Sequence, residues 1–317
     1  MMEMDEASGS RRGGPGADLA EQLRALRACV ERLQKEVDLL KASQRRWVHP
    51  VESALWQRGL PIIGHGDHSQ VLLPANAPED HVEIFYALMR RYSFRLFLRD
   101  LIHTPKAAGT DHLSRYCAPR TVRRYLKILS DLNLVRIRRS GGYELLSPRV
   151  TSFGPTLEWY VWQLFQREFL APALFDVRLN RTRHGGDYDV IALLNGRLVY
   201  VEVKSSPPRG VEMPAVRAFL NRLDDLQPHV AVFLVDTELR MRDKIVPLFG
   251  KALGFEEQPK EGRPVERLVR EIFHIGHAVY LINSRKGIYS NLRTCLRDSF
   301  RCRLPAAAGE SRSGDGW

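Results

Sequence analysis

Asn195-Gly196, set between two apolar runs, narrows what this chain can fold into more than any other feature. A type I′ turn needs φ > 0 at both central residues, and Asn-Gly is its strongest short-range signal. The flanking runs, Asp187 to Leu194 and Arg197 to Lys204, therefore read as a hairpin. A two-residue loop fixes the register. Leu194 faces Arg197, so Asp189 falls opposite Glu202 and Asp187 opposite Lys204. The period of two puts all four on one face at the open end of the hairpin. Directly opposed side chains have Cβ atoms roughly 4.5–5.5 Å apart. Two carboxylates that close repel unless a cation or a shared proton lies between them. The other strand residues, Val190, Ile191, Ala192, Leu193, Leu198, Val199, Val201 and Val203, are apolar on both faces, so a sheet covered on both sides is expected. Three acids and a lysine at the end of a buried hairpin are costly without a task. The plainer alternative is a solvated charge cluster at an exposed hairpin end.

With 317 residues the chain can hold two compact domains plus extensions, and 44% hydrophobic residues mark it as globular. No apolar run reaches the length of a membrane span. The start, Met-Met-Glu-Met-Asp-Glu, lacks the basic and apolar regions of a signal peptide, so a cytoplasmic protein with no membrane partner is expected. Cys29, Cys117, Cys295 and Cys302 are scattered without a Cys-x-x-Cys pair, so neither a zinc motif nor a disulfide framework is expected. The net charge of +11 suggests a polyanionic partner.

Residues 1–17, polar and rich in Gly, Ser and Arg, read as disordered. Over 18–43 a heptad pattern runs unbroken, with Leu19, Leu26, Leu33 and Leu40 at d and Leu23, Val30 and Val37 at a. Leucine at d with valine at most a positions favours a parallel two-stranded coiled coil, hence a homodimer. Glu36 at g can pair with Lys41 at e of the partner helix. A single amphipathic helix folded on its own domain is the alternative. Residues 44–79, broken by prolines and glycines, read as a linker, and His65-Gly-Asp-His68 within it as surface residues rather than metal ligands.

Residues 80–150 carry a long helical stretch from His81 to about Ile102, a short helix near Thr110–Tyr116, and a third helix opened by Pro119. On the third helix Val122, Leu126, Leu129 and Leu132 form an inward face, and Arg120, Arg123, Arg124 and Lys127 the opposite one. A hairpin-like segment follows, Val135 to Leu146, turning at Gly141-Gly142 and bearing Arg136, Arg138 and Arg139. Three helices and a basic hairpin read as an α+β winged helix-turn-helix, its third helix in the major groove of DNA and its wing on phosphate. Such domains also serve as protein–protein modules. Over 151–304 the order is helix, three strands, helix, strand, helix, strand, an α/β domain with a mixed sheet flanked by helices. Glu158 opens its first helix, where a carboxylate suits the positive helix end. Residues 305–317 read as a disordered tail.

Asp189, twelve intervening residues, Glu202-Val-Lys204 and an upstream helical Glu158 together resemble the PD-(D/E)xK nuclease superfamily, the restriction-endonuclease-like fold. The likeness is greatest to Holliday-junction-resolvase-like and Mrr-type members. It spans about 150–290, and the winged helix in front is similar to Mrr-type architecture. The resemblance implies a Mg²⁺-dependent DNA endonuclease, with Mn²⁺ as a possible substitute. Asp189 and Glu202 would be metal ligands, Glu158 a third, and Lys204 would orient the attacking water and stabilise charge on the phosphate. Mg²⁺ prefers oxygen ligands and keeps several waters, so two or three carboxylates suffice. Asp187-Tyr188-Asp189 departs from the usual element, which has Pro or an apolar residue before its aspartate, so Asp187 stays open as the ligand. A catalytically silent DNA-binding regulator, or a defence-complex subunit that keeps the fold as scaffold, is the alternative function.

Overall fold

The computed structural model describes residues 15–44, 48–139, 141–255 and 265–302, with side chains of the first helix described over 22–37. Of the two segments expected to be disordered, 305–317 lies outside the described residues, as does 1–17 apart from its last three positions. The chain forms two compact units, divided between His49 and Pro50.

The first unit is a helix, α1 (Pro15–Gln44). Of the heptad stripe, Leu23, Leu26, Val30, Leu33 and Val37 are all exposed, while the side chains of Leu19, Leu40 and Lys41 lie outside the described residues.

The second unit is built on an eight-stranded mixed sheet. Its strands are β1 (Ile62–Gly64), β5 (Ala173–Leu179), β6 (Asp187–Leu194), β7 (Arg197–Lys204), β8 (Val230–Val235), β9 (Glu266–Val269), β10 (Ile272–Ile275) and β11 (Val279–Asn283). They lie in the order β1-β5-β6-β7-β8-β11-β10-β9, with β7, β8 and β11 parallel and the rest antiparallel. Helices cover both faces, as the doubly apolar strands require. One face packs against α6 (Gly154–Arg167) and α9 (Ile288–Cys302), the other against α2 (Pro50–Trp56), α7 (Met213–Leu226) and α8 (Ile245–Ala252).

Three differences from the sequence expectations bear on function. The stretch 44–79 is no linker after Pro50. It supplies α2, whose Val51 and Leu55 are fully buried, and edge strand β1, paired with β5. Within it His68 is half-buried, its ring edge-on to Phe175 at 5.1 Å, so it packs rather than projecting from the surface. Next, the long helix expected over 81–102 is two, α3 (Glu79–Met89) and α4 (Tyr92–His103), with Arg91 extended between them. The bend brings Phe85 and Phe94, one from each helix, within 6.0 Å.

Lastly, the boundary expected at 150/151 is not a gap in packing. Residues of α3, α4, α5 (Pro119–Asp131) and α6 join the sheet in one continuous core cluster that includes Phe85, Phe97, Leu126, Leu157 and Val201. Beside these helices lies a small sheet of order β2-β4-β3, from β2 (Lys106–Ala107), β3 (Val135–Ile137) and β4 (Tyr143–Leu145). A buried ion pair also ties α4 to the large sheet. Arg95 Nη2 lies 2.8 Å from Asp236 Oδ1, with the side chains 1% and 3% exposed.

Candidate functional site

The turn at Asn195-Gly196 has φ of +50° and +73°, and pairing of β6 with β7 runs from Leu194↔Arg197 to Val190↔Val201. This is the register that a two-residue loop dictates. Past Val201 the ladder gives way to a side chain, because Asp189 Oδ2 accepts the Val203 backbone N–H at 2.6 Å. In an alternating antiparallel ladder that N–H would be directed at the partner strand's carbonyl. A carboxylate has taken the place of backbone, and the strands open where the acids gather.

The same point is distorted on the other side. β5 pairs with β6 at Phe175↔Val190 and Val177↔Tyr188, which leaves Asp176 level with Asp189. Asp176 is left-handed, with φ of +48°. Residues two apart in a strand normally share a face. Here Phe175 and Val190 belong to one core and Val177 and Tyr188 to the other, so both strands change faces across the acids. The simple alternation that put Asp187, Asp189, Glu202 and Lys204 on one face therefore fails between Tyr188 and Val190. Asp187 is exposed, and among the described residues no ion pair joins it to Lys204.

Glu202 is 1% exposed and densely bonded. Its carboxylate accepts Lys204 Nζ at 2.7 Å and Arg222 Nη1 at 2.9 Å from each oxygen, together with the Tyr200 hydroxyl. Arg222 projects from α7 and lies close under Gly186, where an added Cβ would meet its Nη2 at 3.0 Å. Burial works against the Arg222 guanidinium, but Glu202 more than offsets it and holds its pKa above the ordinary value. Burial, then the charges of Glu202 and Asp189, raise the Tyr200 hydroxyl well above its usual range.

Glu158 comes from the opposite layer. Its helix begins at Gly154, so Glu158 lies past the first turn, and attraction to the helix end does not account for it. Burial, then the charges of Asp176 and Glu202, push its carboxyl up to about 7, with Lys204 pulling the other way. Burial, then the charges of Glu202 and Glu158, hold the Asp189 carboxyl well above the carboxylate range. Asp176, raised chiefly by burial, also accepts the Asp67 backbone N–H at 3.3 Å. Thus Glu158, Asp176, Asp189 and Glu202, from four elements, lie within reach of one another's fields, with Lys204 among them.

The donor set is entirely carboxylate oxygen with mutually repelling charges, a condition that a hard divalent cation relieves. Glu158 and Asp189 fit that role best, because the Glu202 oxygens already accept three side-chain donors. The acids expected as ligands do not form a closed nest. Among the described residues, the group offering three ligand atoms within 4.8 Å of one another is His277, Asp298 and Cys302.

The basic residues expected to meet DNA divide into two sets. Arg120, Arg123, Arg124 and Lys127 stand exposed along α5, opposite buried Val122, Leu126 and Leu129. On the hairpin, Arg136 and Arg138 share Glu144 with Lys106 at 3.8, 2.9 and 3.9 Å, while Arg139 is exposed. No helix among the described residues is long and apolar enough to cross a membrane.

The sequence reading missed Asp176, Arg222 and Tyr200. Asp176 had a signal, a lone acid inside the apolar run Ala-Leu-Phe-Asp-Val. Arg222 had none, because one arginine on a polar helix face looks like any other.

No protein-family model matches the chain, and no curated protein matches it at the significance required. Among solved structures, protein VC1899 from Vibrio cholerae is similar at 16% identity and a TM-score of 0.46. So is Can2 from Sulfobacillus thermosulfidooxidans, solved with cyclic tetra-adenylate, at 12% identity and a TM-score of 0.46. Each match covers 78% of this chain and 62% and 60% of those chains respectively, so the chain spans about three fifths of their length.

Proposed function

We propose that the chain is a divalent-metal-dependent endonuclease acting on DNA, with its site at the open end of the β6–β7 hairpin. The observation that carries this reading is the convergence of Glu158, Asp176, Asp189 and Glu202 with Lys204 where the strands part. Four acids within reach of one another's charge are an expensive arrangement for a structural role. Glu158 and Asp189 would hold Mg²⁺ or Mn²⁺, with Asp176, Asp187 and Glu202 as further oxygen donors. The bound ion would polarise the scissile phosphate and acidify a water.

The chain's own groups supply the rest. The Lys204 ammonium faces the cluster and offers positive charge to a phosphate. Without a cation the Glu158 carboxyl is pushed up to about 7, so near neutral pH it gives up its proton as the ion binds. Arg222 and Tyr200 fix the rotamer of Glu202, so Glu202 orients Lys204 even where it binds no ion. The exposed bases of α5 and the β3–β4 hairpin suit a winged helix that docks the duplex backbone.

The test is plasmid, single-stranded and branched DNA incubated with purified protein and Mg²⁺ or Mn²⁺. Wild type is expected to cut at least one of these, and Asp189→Asn with Glu158→Gln to lose at least ~100-fold in rate. Equal cutting by wild type and the double variant would sink the reading. The engagement of Glu202 by Arg222, Lys204 and Tyr200 favours a second reading, a silent scaffold that binds DNA without cutting it. That reading expects salt-dependent binding which survives loss of the acids and no cleavage with any metal.

A further inference from the structure

We propose that His277, Asp298 and Cys302 form a binding site for a zinc-class divalent cation, distinct from the carboxylate cluster. The three side chains offer one imidazole nitrogen, one carboxylate oxygen and one thiol sulfur within 4.8 Å of one another. This is the mixed donor set that suits Zn²⁺, with a water in the remaining position, and it differs in kind from an all-oxygen magnesium site. Cys-x-x-Cys spacing does not reveal it, because the ligands come together only through the fold.

Two elements build the site. Asp298 and Cys302, four residues apart on α9, share one helix face. Asp298 presents Oδ1 to the Cys302 sulfur at 3.8 Å and Oδ2 to His277 Nδ1 at 2.7 Å. His277 sits in the tight turn between β10 and β11, where Gly276 and His277 both have positive φ, +56° and +52°. Glycine and asparagine are the usual occupants of such a position, and histidine is among the other residues that adopt it most readily.

The surroundings hold the ligands in place. The Tyr280 hydroxyl lies 2.7 Å from Asp298 Oδ2, and the His274 ring stacks on His277 at a centroid distance of 4.0 Å. His274 Nδ1 accepts the His277 backbone N–H at 3.3 Å, which fixes the turn beneath the site. Partners of this kind orient metal ligands and tune their affinity. His277 and Asp298 are partly exposed and Cys302 is exposed, so an ion reaches the site from solvent. Binding would exchange the His277–Asp298 hydrogen bond for two metal bonds and release the thiol proton of Cys302 to water. The ion would then staple the end of α9 to the hairpin, at the sheet edge away from β6 and β7.

The experiment titrates the full-length protein with Co²⁺, read by its tetrahedral d–d absorption and thiolate charge-transfer band, then displaces it with Zn²⁺. Wild type is expected to bind one thiolate-ligated Co²⁺ per chain and to lose it to Zn²⁺. Cys302→Ser should remove the band, and His277→Asn, which keeps a residue that tolerates the left-handed turn, should weaken binding at least ~100-fold. Tyr280→Phe should weaken it ~10-fold. The Glu158→Gln/Asp189→Asn variant should keep the signal, which separates this site from the nuclease reading. A thiolate band that survives Cys302→Ser, or no thiolate-ligated Co²⁺ tighter than millimolar in wild type, would overturn the proposal.

Discussion

At the scale of single residues, Glu158 is the most informative acid, because burial and three neighbouring carboxylates, Asp176, Glu202 and Asp187, act on it together. Its carboxyl moves from an ordinary value of 4.5 to about 7, so the folded state holds its proton more tightly than the unfolded chain. Between those values the folded protein binds more protons, and its stability falls as pH rises. The contribution is intact below pH 4.5 and is lost as pH rises through about 7, unless a cation takes the proton's place. Glu158→Gln should flatten this slope in metal-free buffer. At pH 8 it should raise unfolding free energy by on the order of 2 kcal/mol in urea titrations with EDTA. Saturating Mg²⁺ should stabilise wild type at pH 8 more than it stabilises the variant. An unchanged slope in the variant would mean that Glu158 does not carry the strain. Register and the spacing to Glu202-Val-Lys204 favour Asp189 over Asp187, and the Asp189 bond to the Val203 N–H adds a physical basis that Asp187, exposed and unpaired with Lys204, lacks.

At the scale of elements, the hairpin was legible because its turn chemistry is local and strong. Asn195 and Gly196 take up the two positive φ values that the dipeptide predicts, and the register follows by counting. Gly196 has open space where a Cβ would stand, so Gly196→Ala tests the backbone requirement alone. It should cost about 1 kcal/mol in equilibrium unfolding and leave the sheet intact. Helix α5 was likewise readable from its inward face of Val122, Leu126 and Leu129. What escaped has a common cause. Strands β1, β9 and β10 are three or four residues long and interrupted by polar or charged neighbours, too short to display a period. They are strands because a neighbouring edge offers hydrogen bonds. Glu158 and Asp189 were readable as site candidates because a hairpin and a helix carry them, whereas Asp176 needed a left-handed residue in mid-strand, which sequence alternation argues against.

At the scale of the whole molecule, the region from Pro50 onward holds together by more than apolar packing. Arg95 donates to both Asp236 oxygens and, through Nη1, to the Met89 carbonyl at 2.7 Å, while Ser284 completes Asp236 from the loop after β11. Removing one partner of such a pair strands a buried charge, so Asp236→Ala should cost about 3–5 kcal/mol. Arg95→Met combined with Asp236→Ala should recover part of that loss in the same chemical denaturation, because no charge is then left unpaired. The last expectation concerns α1. Leu23, Leu26, Val30, Leu33 and Val37 are 44–63% exposed, a continuous stripe with the spacing of a two-stranded coil. A second copy would cover that stripe and bring two hairpin sites into one particle. Leu26→Lys with Leu33→Lys places like charges at facing d positions and should convert a dimer to a monomer in sedimentation equilibrium. If pairing is what lets the protein cut both strands of a duplex, the monomeric variant should nick plasmid at near wild-type rate and form linear product far more slowly. A wild-type monomer in solution would remove this role for the stripe, whatever the fate of the nuclease reading.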